Sequence, residues 1–348
     1  MKFLFIGQLN PSGWVSTTKM RMVKLQALGY QTVPVDSEDY IHWGGRLVGG
    51  VSRRLKWGPQ FRRFNLDVLR AASEHRPDAV WIEKGVWIYP NTLRKLRRDF
   101  GCLSIHYTPD PAITFHRSRH FLASIPEYDL MVTTKRYELD LYHRHGVRKL
   151  LLQYPSFDTD IHRPERPSLE ERRRYEADVV FVGTYTPGRE RYLKTMAQLG
   201  IDLAIWGGRW EKCRDSYLGR RVRGGSLGGR NYALALGCAK VGLGLLSPLV
   251  PDRSTTRSFE IPACGTFLLA ERTEEHRALF EEGEEAEFFS SNAEFERKLR
   301  YYLKHDGARC RIADRGCQRC WDSGYDSATR VREIVLHAQE IMTSKRAA

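Results

Sequence analysis

The sequence predicts an α/β protein with two doubly wound domains, because short apolar runs alternate with amphipathic segments in two successive series. An aperiodic, Pro-rich and charged stretch separates the series. The chain, 348 residues long, exceeds what one compact core usually holds. We therefore expect a first domain over 1–155, a linker over 156–176, a second domain over 177–325, and a C-terminal helix over 326–348 that packs back on the first domain.

The first series begins with an apolar strand and a Gly-containing turn, although its glycines do not match the dinucleotide pattern G-x-G-x-x-G. The predicted strands are 1–7, 31–35, 79–83, 102–106, 128–133 and 147–153. The predicted helices are 16–28, 62–74, 90–99 and 135–145. These strands would form one parallel sheet with helices on its faces.

The strand at 102–106 is predicted to run into a loop that carries an imidazole and a carboxylate, His106 and Asp110. In open α/β sheets, ligands sit beyond the carboxyl ends of the strands, so both residues are candidates for catalysis. An Asp before Pro is also a common turn device, and both interpretations stay open.

The second series predicts strands at 178–182, 201–206, 240–245 and 266–270, with helices ending near 199 and covering 231–236, 292–305, 308–320 and 326–342. A Gly-rich loop follows its first strand and leads into a helix, with Gly183, Thr184 and Arg189 as candidate phosphate ligands. The acidic stretch after Ala270 is expected to be solvated helix and loop surface.

The stretch Val250–Ala270 predicts a loop, a helix and a strand in close succession. Thr255 and Thr256 stand where the helix could begin, and unpaired N–H groups at such an end favour phosphate. Arg257 adds a positive charge, and the carboxylate of Glu260 could accept two hydrogen bonds from a ribose diol. These residues predict a nucleotide diphosphate site, with an ordinary capped helix and a surface Arg–Glu pair as the alternative.

A formal net charge of +14 favours an anionic partner. Nucleic acid is not expected, because the ribonucleoprotein motif, paired zinc fingers and a distinct helix-turn-helix are absent from the sequence. The stretch Arg46–Phe64 interleaves basic with aromatic and aliphatic residues, which is typical of a contact with an anionic membrane surface. A solvated basic loop and helix start is the alternative. The sequence shows no apolar run long enough to span a membrane, so we expect a cytoplasmic protein that associates with the inner membrane face.

Seven cysteines are scattered along the chain, and free reduced thiols are expected. Cys317 and Cys320 form a C-x-x-C pair with Cys310 upstream, which superficially suggests zinc. The surrounding Arg-rich helix pattern favours packing residues instead, and no metal site is predicted.

Four segments resemble the GT-B glycosyltransferases, specifically the spore-maturation-protein-like branch with a C-terminal domain of the "glycosyl transferases group 1" type. The segments are Asp178-Val-Val-Phe181-Val-Gly183-Thr184 with Arg189, Trp206-Gly-Gly-Arg-Trp210, Arg257-Ser-Phe-Glu260-Ile-Pro-Ala-Cys-Gly265-Thr-Phe-Leu-Leu, and Phe157-Asp158-Thr-Asp-Ile-His162-Arg-Pro164. The resemblance implies the GT-B fold, two Rossmann-like domains that face each other across a cleft. It is strongest in the second half of the chain.

The resemblance also implies roles for individual residues. Glu260 would bind the ribose hydroxyls of the donor nucleotide, and Asp252, eight positions earlier, would lie near the sugar. Arg189 and Arg257, with backbone N–H groups after Gly183 and near Thr255, would neutralise the diphosphate without a metal or cofactor.

The activity implied is transfer of a sugar, of the hexosyl type, from a nucleoside diphosphate such as UDP or GDP to an acceptor hydroxyl. His106 or Asp110 would act as base or position the acceptor, and the related group transfers with retention. The acceptor would be a glycan, a lipid-linked molecule or a small molecule in polysaccharide or glycoconjugate synthesis. The alternatives are a sugar-nucleotide epimerase or phosphorylase on the same fold, and a binding protein on a catalytically decayed one.

Overall fold

The computed structural model describes residues 1–10, 16–41, 52, 54–115 and 118–347, and its chain divides into two compact units. Unit 1 contains Met1–Tyr154 and Ala328–Ala348, and unit 2 contains Pro155–Ser327. The chain therefore passes from unit 1 into unit 2 and later returns to unit 1.

Unit 1 is built on a six-stranded sheet in which every neighbouring pair is parallel. Its strand order is β2-β1-β3-β4-β5-β6. The strands are β1 (Lys2–Gly7), β2 (Gln31–Asp36), β3 (Ala79–Glu83), β4 (Leu103–Thr108), β5 (Leu130–Thr133) and β6 (Leu150–Leu152). β3 and β4 are buried along their whole length, as in a parallel sheet covered on both faces.

Helices cover both faces of the first sheet. They are Thr17–Ala27, Glu38–Ile41, Pro59–His75, Pro90–Phe100, Ala112–Phe115, Arg119–Ser124 and Leu139–Arg144, followed much later in the chain by Ser327–Ala347. The last of these packs with Val331, Ile334 and Val335 against an apolar cluster that includes Phe3 and Phe5. The C-terminal helix is thus part of the core of unit 1.

Unit 2 has a second six-stranded parallel sheet, in the order β12-β11-β10-β7-β8-β9. Its strands are β7 (Ala177–Val182), β8 (Leu203–Trp206), β9 (Val222–Gly224), β10 (Ala239–Gly244), β11 (Phe267–Glu271) and β12 (Glu287–Phe289). Counted from β7, this is the doubly wound order 3-2-1-4-5-6. The sequence order reverses between β7 and β10, which lie side by side.

The helices of unit 2 are Leu169–Tyr175, Glu190–Leu199, Ser216–Arg221, Gly229–Gly237, Arg257–Ala263, Glu274–Leu279, Asn292–Lys304 and Asp306–Asp322. Side chains from β7, β8 and β10 form the centre of its main core with Leu193, Met196, Phe295 and Leu299. The predicted α/β architecture with two doubly wound sheets is confirmed.

The segment 156–176, predicted as a linker without periodicity, belongs to unit 2 and contains a helix, Leu169–Tyr175. Ser168 caps this helix by accepting a hydrogen bond from the N–H of Glu171, whose side chain accepts in return from the N–H of Ser168. This reciprocal arrangement is a capping box. Part of the predicted linker is therefore regular structure.

Two local predictions are wrong. His106 does not begin a loop, because β4 continues to Thr108 and the imidazole is completely buried. The acidic stretch after Ala270 is not all solvated surface, since Glu287 lies in β12 and is buried, bonded to Lys298 and to the hydroxyl of Tyr302. In both places a polar side chain is held inside by partners distant in sequence.

No helix among the described residues is long and apolar enough to cross a membrane. All seven cysteines are free thiols. Of the stretch Arg46–Phe64, residues 46–51 and 53 lie outside the described part of the chain.

Candidate functional site

The carboxyl ends of β7 and β10 mark the point in unit 2 where the strand order reverses. Loops leaving two such strands diverge to opposite faces of the sheet and leave a crevice between them, which is where open α/β sheets bind ligands. The loop after β7 runs from Gly183 into the helix Glu190–Leu199, and the loop after β10 runs from Leu245 to Thr256. These loops carry most of the residues predicted as donor ligands.

Arg189 lies at the end of the first loop and is only 7% exposed. Its Nη1 donates to the carbonyl of Thr184 at 2.7 Å, and its Nε donates to the carbonyl of Leu246 at 3.1 Å. The guanidinium therefore connects the two loops through backbone oxygens. Burial, followed by the charge of Arg257, lowers its pKa to about 10, so it stays protonated at neutral pH.

Arg257 comes from the other loop and begins the helix Arg257–Ala263. Its Nη2 donates to the carbonyl of Leu245 at 3.1 Å. Its guanidinium carbon lies 5.7 Å from the centre of the Phe181 ring, and that of Arg189 lies 5.5 Å from the same ring. One aromatic side chain thus supports two cations, a favourable contact for each.

The two guanidinium groups place two positive charges together at the reversal point. Neither forms an ion pair with a carboxylate within the described part of the chain, although the charge of Glu271 acts on Arg189 from a greater distance. Like charges in a half-buried crevice repel each other unless an anion lies between or against them. The arrangement is suited to a ligand with more than one negative charge.

Polar atoms without partners accompany the two arginines. The hydroxyls of Thr186 and Thr255 and the Nε of Arg257 are buried and make no hydrogen bond to any described residue. Buried polar groups are nearly always satisfied in folded proteins, by the protein, by water or by a ligand. A polar ligand at these loops would supply the missing partners.

The loop after β7 is positioned by the motif Trp206-Gly-Gly-Arg-Trp210. Gly207 has φ +147, and a Cβ there would lie 2.1 Å from the carbonyl oxygen of Gly183. Trp210 donates from Nε1 to that same oxygen at 3.0 Å, and Tyr185 donates its N–H to the carbonyl of Gly208. The motif therefore holds the start of the loop. Gly207 is required because its backbone lies too close to the backbone of Gly183 for a side chain to fit between them.

Glu260 projects from the helix Arg257–Ala263 and is held by Tyr232, whose hydroxyl donates to Oε2 at 2.5 Å. Burial, and then the Glu260 charge, raise the pKa of Tyr232 well above its ordinary value, so the phenol remains a donor. His162 lies with Nε2 3.8 Å from Oε1 of Glu260. The carboxylate is therefore oriented but retains capacity to accept further hydrogen bonds.

His162 is positioned locally. Its Nδ1 accepts from the N–H of Asp158 at 2.8 Å, so in the neutral ring Nε2 carries the proton on the side of Glu260. Asp158 in turn accepts from the N–H of Asp160, a turn built by an Asp side chain. The sequence predicted this segment as part of the linker and as a match to the family, without a role for His162. It gave no indication of Tyr232, because nothing in the neighbouring sequence distinguishes this tyrosine from a packing residue.

Several backbone N–H groups near Thr255 already have acceptors within the protein. The N–H of Thr255 donates to the Oγ of Ser258, while those of Ser258 and Phe259 donate to the carbonyls of Thr255 and Thr256. After β7, the N–H of Tyr185 donates to the carbonyl of Gly208. These particular N–H groups are bonded within the protein, and the positive charge at the two loops comes from the arginine side chains.

The loop after β10 is fixed by a chain of hydrogen bonds through two buried side chains that sequence reasoning also missed. The Nδ1 of His276 lies 2.7 Å from the carbonyl of Glu271, which can only accept, so Nδ1 carries the proton. Nε2 then accepts from the Oγ of Ser258 at 2.7 Å, and this Oγ accepts from the N–H of Thr255. Burial lowers the pKa of His276 to about 4, which keeps the ring neutral.

Of the three remaining candidates, one lies in the same loop after β10 and two lie in unit 1. Asp252 is half-buried in the loop before the helix. In unit 1, Asp110 follows β4 and pairs with Lys84 at 2.8 Å, half-exposed. His106 is enclosed, with Nε2 3.0 Å from the carbonyl of Lys84, and burial lowers its pKa to about 4. A side chain with no exposure cannot contact a substrate in this conformation.

The reversal point of unit 1, between β1 and β3, differs in charge from that of unit 2. There Glu83 is almost completely buried and accepts two hydrogen bonds from Arg21, at 2.7 and 2.6 Å. Trp81 donates to the same carboxylate at 3.0 Å. This pair neutralises itself, so the excess of positive charge is a property of the unit 2 site. Within the described part of the chain, no group of three His, Cys, Asp or Glu side chains is placed to hold a metal ion.

Comparison with protein families gives one match. Residues 189–335 match the family model described as "Glycosyl transferase-like". The matched region includes Arg189, Arg257 and Glu260. A search of curated protein sequences found no match.

Solved structures resemble the chain over nearly its whole length. The sucrose-phosphate synthase of Thermosynechococcus elongatus is 12% identical, with a TM-score of 0.68 and coverage of 99% of this chain and 100% of that one. HepE of Anabaena in complex with UDP-glucose is 14% identical, with a TM-score of 0.66 and coverage of 98% and 100%. A putative UDP-N-acetylglucosamine 2-epimerase of Listeria monocytogenes is 8% identical, with a TM-score of 0.58 and coverage of 99% and 97%. At these identities the likeness concerns the fold, and it confirms the predicted GT-B class.

We expect Gly207→Ala to destabilise unit 2 by more than about 3 kcal/mol, because the new Cβ would overlap the Gly183 carbonyl and force the chain apart. Gly219→Ala is the matched control, since it lies in the helix Ser216–Arg221 and its Cβ would meet no atom within 4 Å. That variant should be stabilised by about 0.5 to 1 kcal/mol. Thermal unfolding measures both, and equal melting temperatures for the two variants would contradict the steric argument.

We expect stability to fall in acid partly through His276. Its pKa is about 4 in the folded protein against an ordinary 6.5, so the unfolded chain binds the proton first as pH falls. The stabilisation is complete above pH 6.5 and should decrease by about 2 kcal/mol between pH 7 and pH 5. Urea unfolding of His276→Gln should show a shallower pH dependence than the wild type, whereas His305→Gln, at an exposed position of the same unit, should not. Parallel pH curves for wild type and His276→Gln would refute this.

Proposed function

We propose that the protein is a glycosyltransferase that moves a sugar, a hexose, from a nucleoside diphosphate donor to an acceptor hydroxyl. The observation that carries the proposal is the juxtaposition of Arg189 and Arg257 at the reversal point of a GT-B unit. As the sugar leaves, the diphosphate acquires negative charge, and cations fixed in advance stabilise that charge without reorganisation. The two arginines supply this fixed positive charge, so we propose a reaction without a resident metal ion.

UDP is the donor nucleotide we propose to test first, because HepE, a structural neighbour, binds UDP-glucose. The unsatisfied hydroxyls of Thr186 and Thr255 lie on the loops that hold the arginines, where they could bond phosphate oxygens. Gly183 places no side chain between Phe181 and Arg257: a Cβ at this position would lie 2.8 Å from a ring carbon of Phe181 and 3.4 Å from the Arg257 Nη1. The loops thus provide charge, donors and space together.

Glu260 is proposed as the ligand of the ribose hydroxyls. Tyr232 fixes the orientation of the carboxylate through one oxygen, and the remaining lone pairs can accept from two adjacent hydroxyls. Tyr232 and His162 are positioning residues in this proposal, since they act through Glu260. We assign no catalytic role to His106, because it is enclosed in unit 1, and none to Asp252. Retention of anomeric configuration and membership of the spore-maturation-protein-like branch are proposed on the resemblance.

Product analysis separates this function from its rivals. UDP-glucose with an acceptor should give a glycoside and UDP, and the anomeric coupling constant of the product tests retention. An isomerised donor formed without acceptor would indicate an epimerase, and a sugar phosphate formed when inorganic phosphate replaces the acceptor would indicate a phosphorylase. A nucleotide sugar at about 100 times its Kd should stabilise the protein by about 2.7 kcal/mol, and no shift with any donor would indicate a decayed site.

We expect Arg257→Gln to weaken UDP binding by about tenfold to a hundredfold, because a charge-assisted hydrogen bond to a phosphate would be lost. Arg253→Gln is the matched control: the same charge is removed four residues earlier, at an exposed position of the same loop. Isothermal titration calorimetry with UDP measures both variants. Equal Kd values in the wild type and Arg257→Gln would remove the arginine from the diphosphate site.

The ribose assignment is tested by the ratio of affinities for UDP and 2′-deoxy-UDP. The wild type should prefer UDP by about tenfold, since a buried charged acceptor loses a partner with the deoxy ligand. In Glu260→Ala this ratio should approach one, whereas exposed Glu274→Ala should keep it. A preference that survives in Glu260→Ala would assign the ribose to another residue. Unchanged thermal unfolding would show that the variant is folded.

A further inference from the structure

The helix Pro59–His75 in unit 1 has an outer face that takes no part in the core. Its inner face is buried through Phe61, Phe64, Val68 and Ala72. The outer face carries Arg62, Leu66 and Arg70 at helical spacing. Together with the segment before the helix it forms a surface made of Leu55, Trp57, Arg62, Arg63, Leu66 and Arg70, which we call the basic apolar surface.

Its apolar members are exposed to an unusual degree for large side chains. Trp57 is 60% exposed, Leu55 58% and Leu66 54%. Single exposed hydrophobic residues are normal, but three within twelve positions beside a fully buried helix face are not needed for folding. They are available to a partner that is itself apolar.

Its charges are in excess. Arg63 and Arg70 share one carboxylate, that of Asp67, which also accepts from the hydroxyl of Tyr40. Arg62 pairs with no carboxylate of a described residue, and Arg54, just before the surface, is exposed. Positive charge therefore remains in excess around the apolar side chains, because one carboxylate, Asp67, serves two of the arginines.

We propose that the basic apolar surface binds the surface of an anionic lipid bilayer. Guanidinium groups pair with lipid phosphates and carboxylates, and the indole of Trp57 is suited to the headgroup level, where one end of a side chain is apolar and the other wet. The two leucines favour lipid over nucleic acid, because aliphatic side chains gain from hydrocarbon and gain little from phosphates or stacked bases. The proposal goes beyond sugar transfer and does not depend on it.

Sedimentation of the full chain with vesicles tests the proposal. The protein should pellet with phosphatidylcholine vesicles that contain about one third phosphatidylserine and stay in solution with phosphatidylcholine alone, and salt should release it. Arg62→Glu with Leu66→Ser should reduce the bound fraction by about tenfold or more. Arg332→Glu with Leu336→Ser is the matched control, because this pair has the same spacing on an outer face of the helix Ser327–Ala347, with Leu336 53% exposed.

Trp57 provides a second readout that does not depend on loss of binding. Phosphatidylserine brominated near the top of its acyl chains quenches indoles at the boundary between headgroups and acyl chains, so vesicles containing it should quench part of the tryptophan emission. That part should disappear in Trp57→Phe while Arg62 and Arg63 still bring the protein to the vesicle. Identical quenching in the wild type and Trp57→Phe would show that Trp57 does not enter the bilayer and would overturn the proposed orientation.

Other outcomes of these experiments also decide whether the surface binds lipid. Failure to pellet with anionic vesicles, or equal loss of binding in the test and control pairs, overturns the proposal. Tight binding of single-stranded DNA that is lost only in the Arg62, Leu66 variant would assign the surface to nucleic acid instead. Because unit 2 carries the donor site, the same variant should keep its thermal shift with UDP, so the failure of one proposal is distinguishable from that of the other.

Discussion

The candidate site of unit 2 depends on two neighbouring guanidinium groups whose like charges act on each other. Arg189 and Arg257 come from loops that leave adjacent strands, and the strand order alone brings them together. Backbone carbonyls and the ring of Phe181 hold them, so their charge is not neutralised by a neighbouring carboxylate in the described structure. Unit 1 has the same kind of reversal point, but there Glu83 pairs with Arg21. The two halves share an architecture, but of the two crevices, as far as the structure describes them, that of unit 2 has the excess of positive charge.

The loops around the two arginines are held in one conformation by buried contacts. Gly207 admits no side chain because of the Gly183 carbonyl, and His276 reaches Thr255 only through the hydroxyl of Ser258. Both arrangements consist of buried, directional contacts, which keep a site in place before its ligand arrives. Such rigidity is a condition for stabilising charge that develops only during a reaction.

The sequence was sufficient for most elements of the fold. Apolar strands such as β3 and β10 and amphipathic helices such as Pro90–Phe100 follow from periodicity, and they alternate, which selects a doubly wound sheet. Arg189, Arg257 and Glu260 could be chosen because the residue types fit a nucleotide and the loops follow strands. What the sequence could not show depends on distant partners: the burial of His106 beside Lys84, the use of the Thr255 N–H by Ser258, and the hold of Tyr232 on Glu260. The helix Leu169–Tyr175 could have been predicted, since Ser168 and Glu171 have the spacing of a capping box.

The two units differ in how the sequence encodes them. Unit 2 is one uninterrupted segment, Pro155–Ser327, whereas unit 1 is completed by its last residues, Ala328–Ala348. Val331, Ile334 and Val335 cover apolar side chains of the first strand, among them Phe3 and Phe5. During translation, the core of unit 1 is therefore completed only after all of unit 2 has been synthesised. A premature stop codon near the end of the coding sequence would destabilise unit 1, although most of unit 1 is encoded before unit 2.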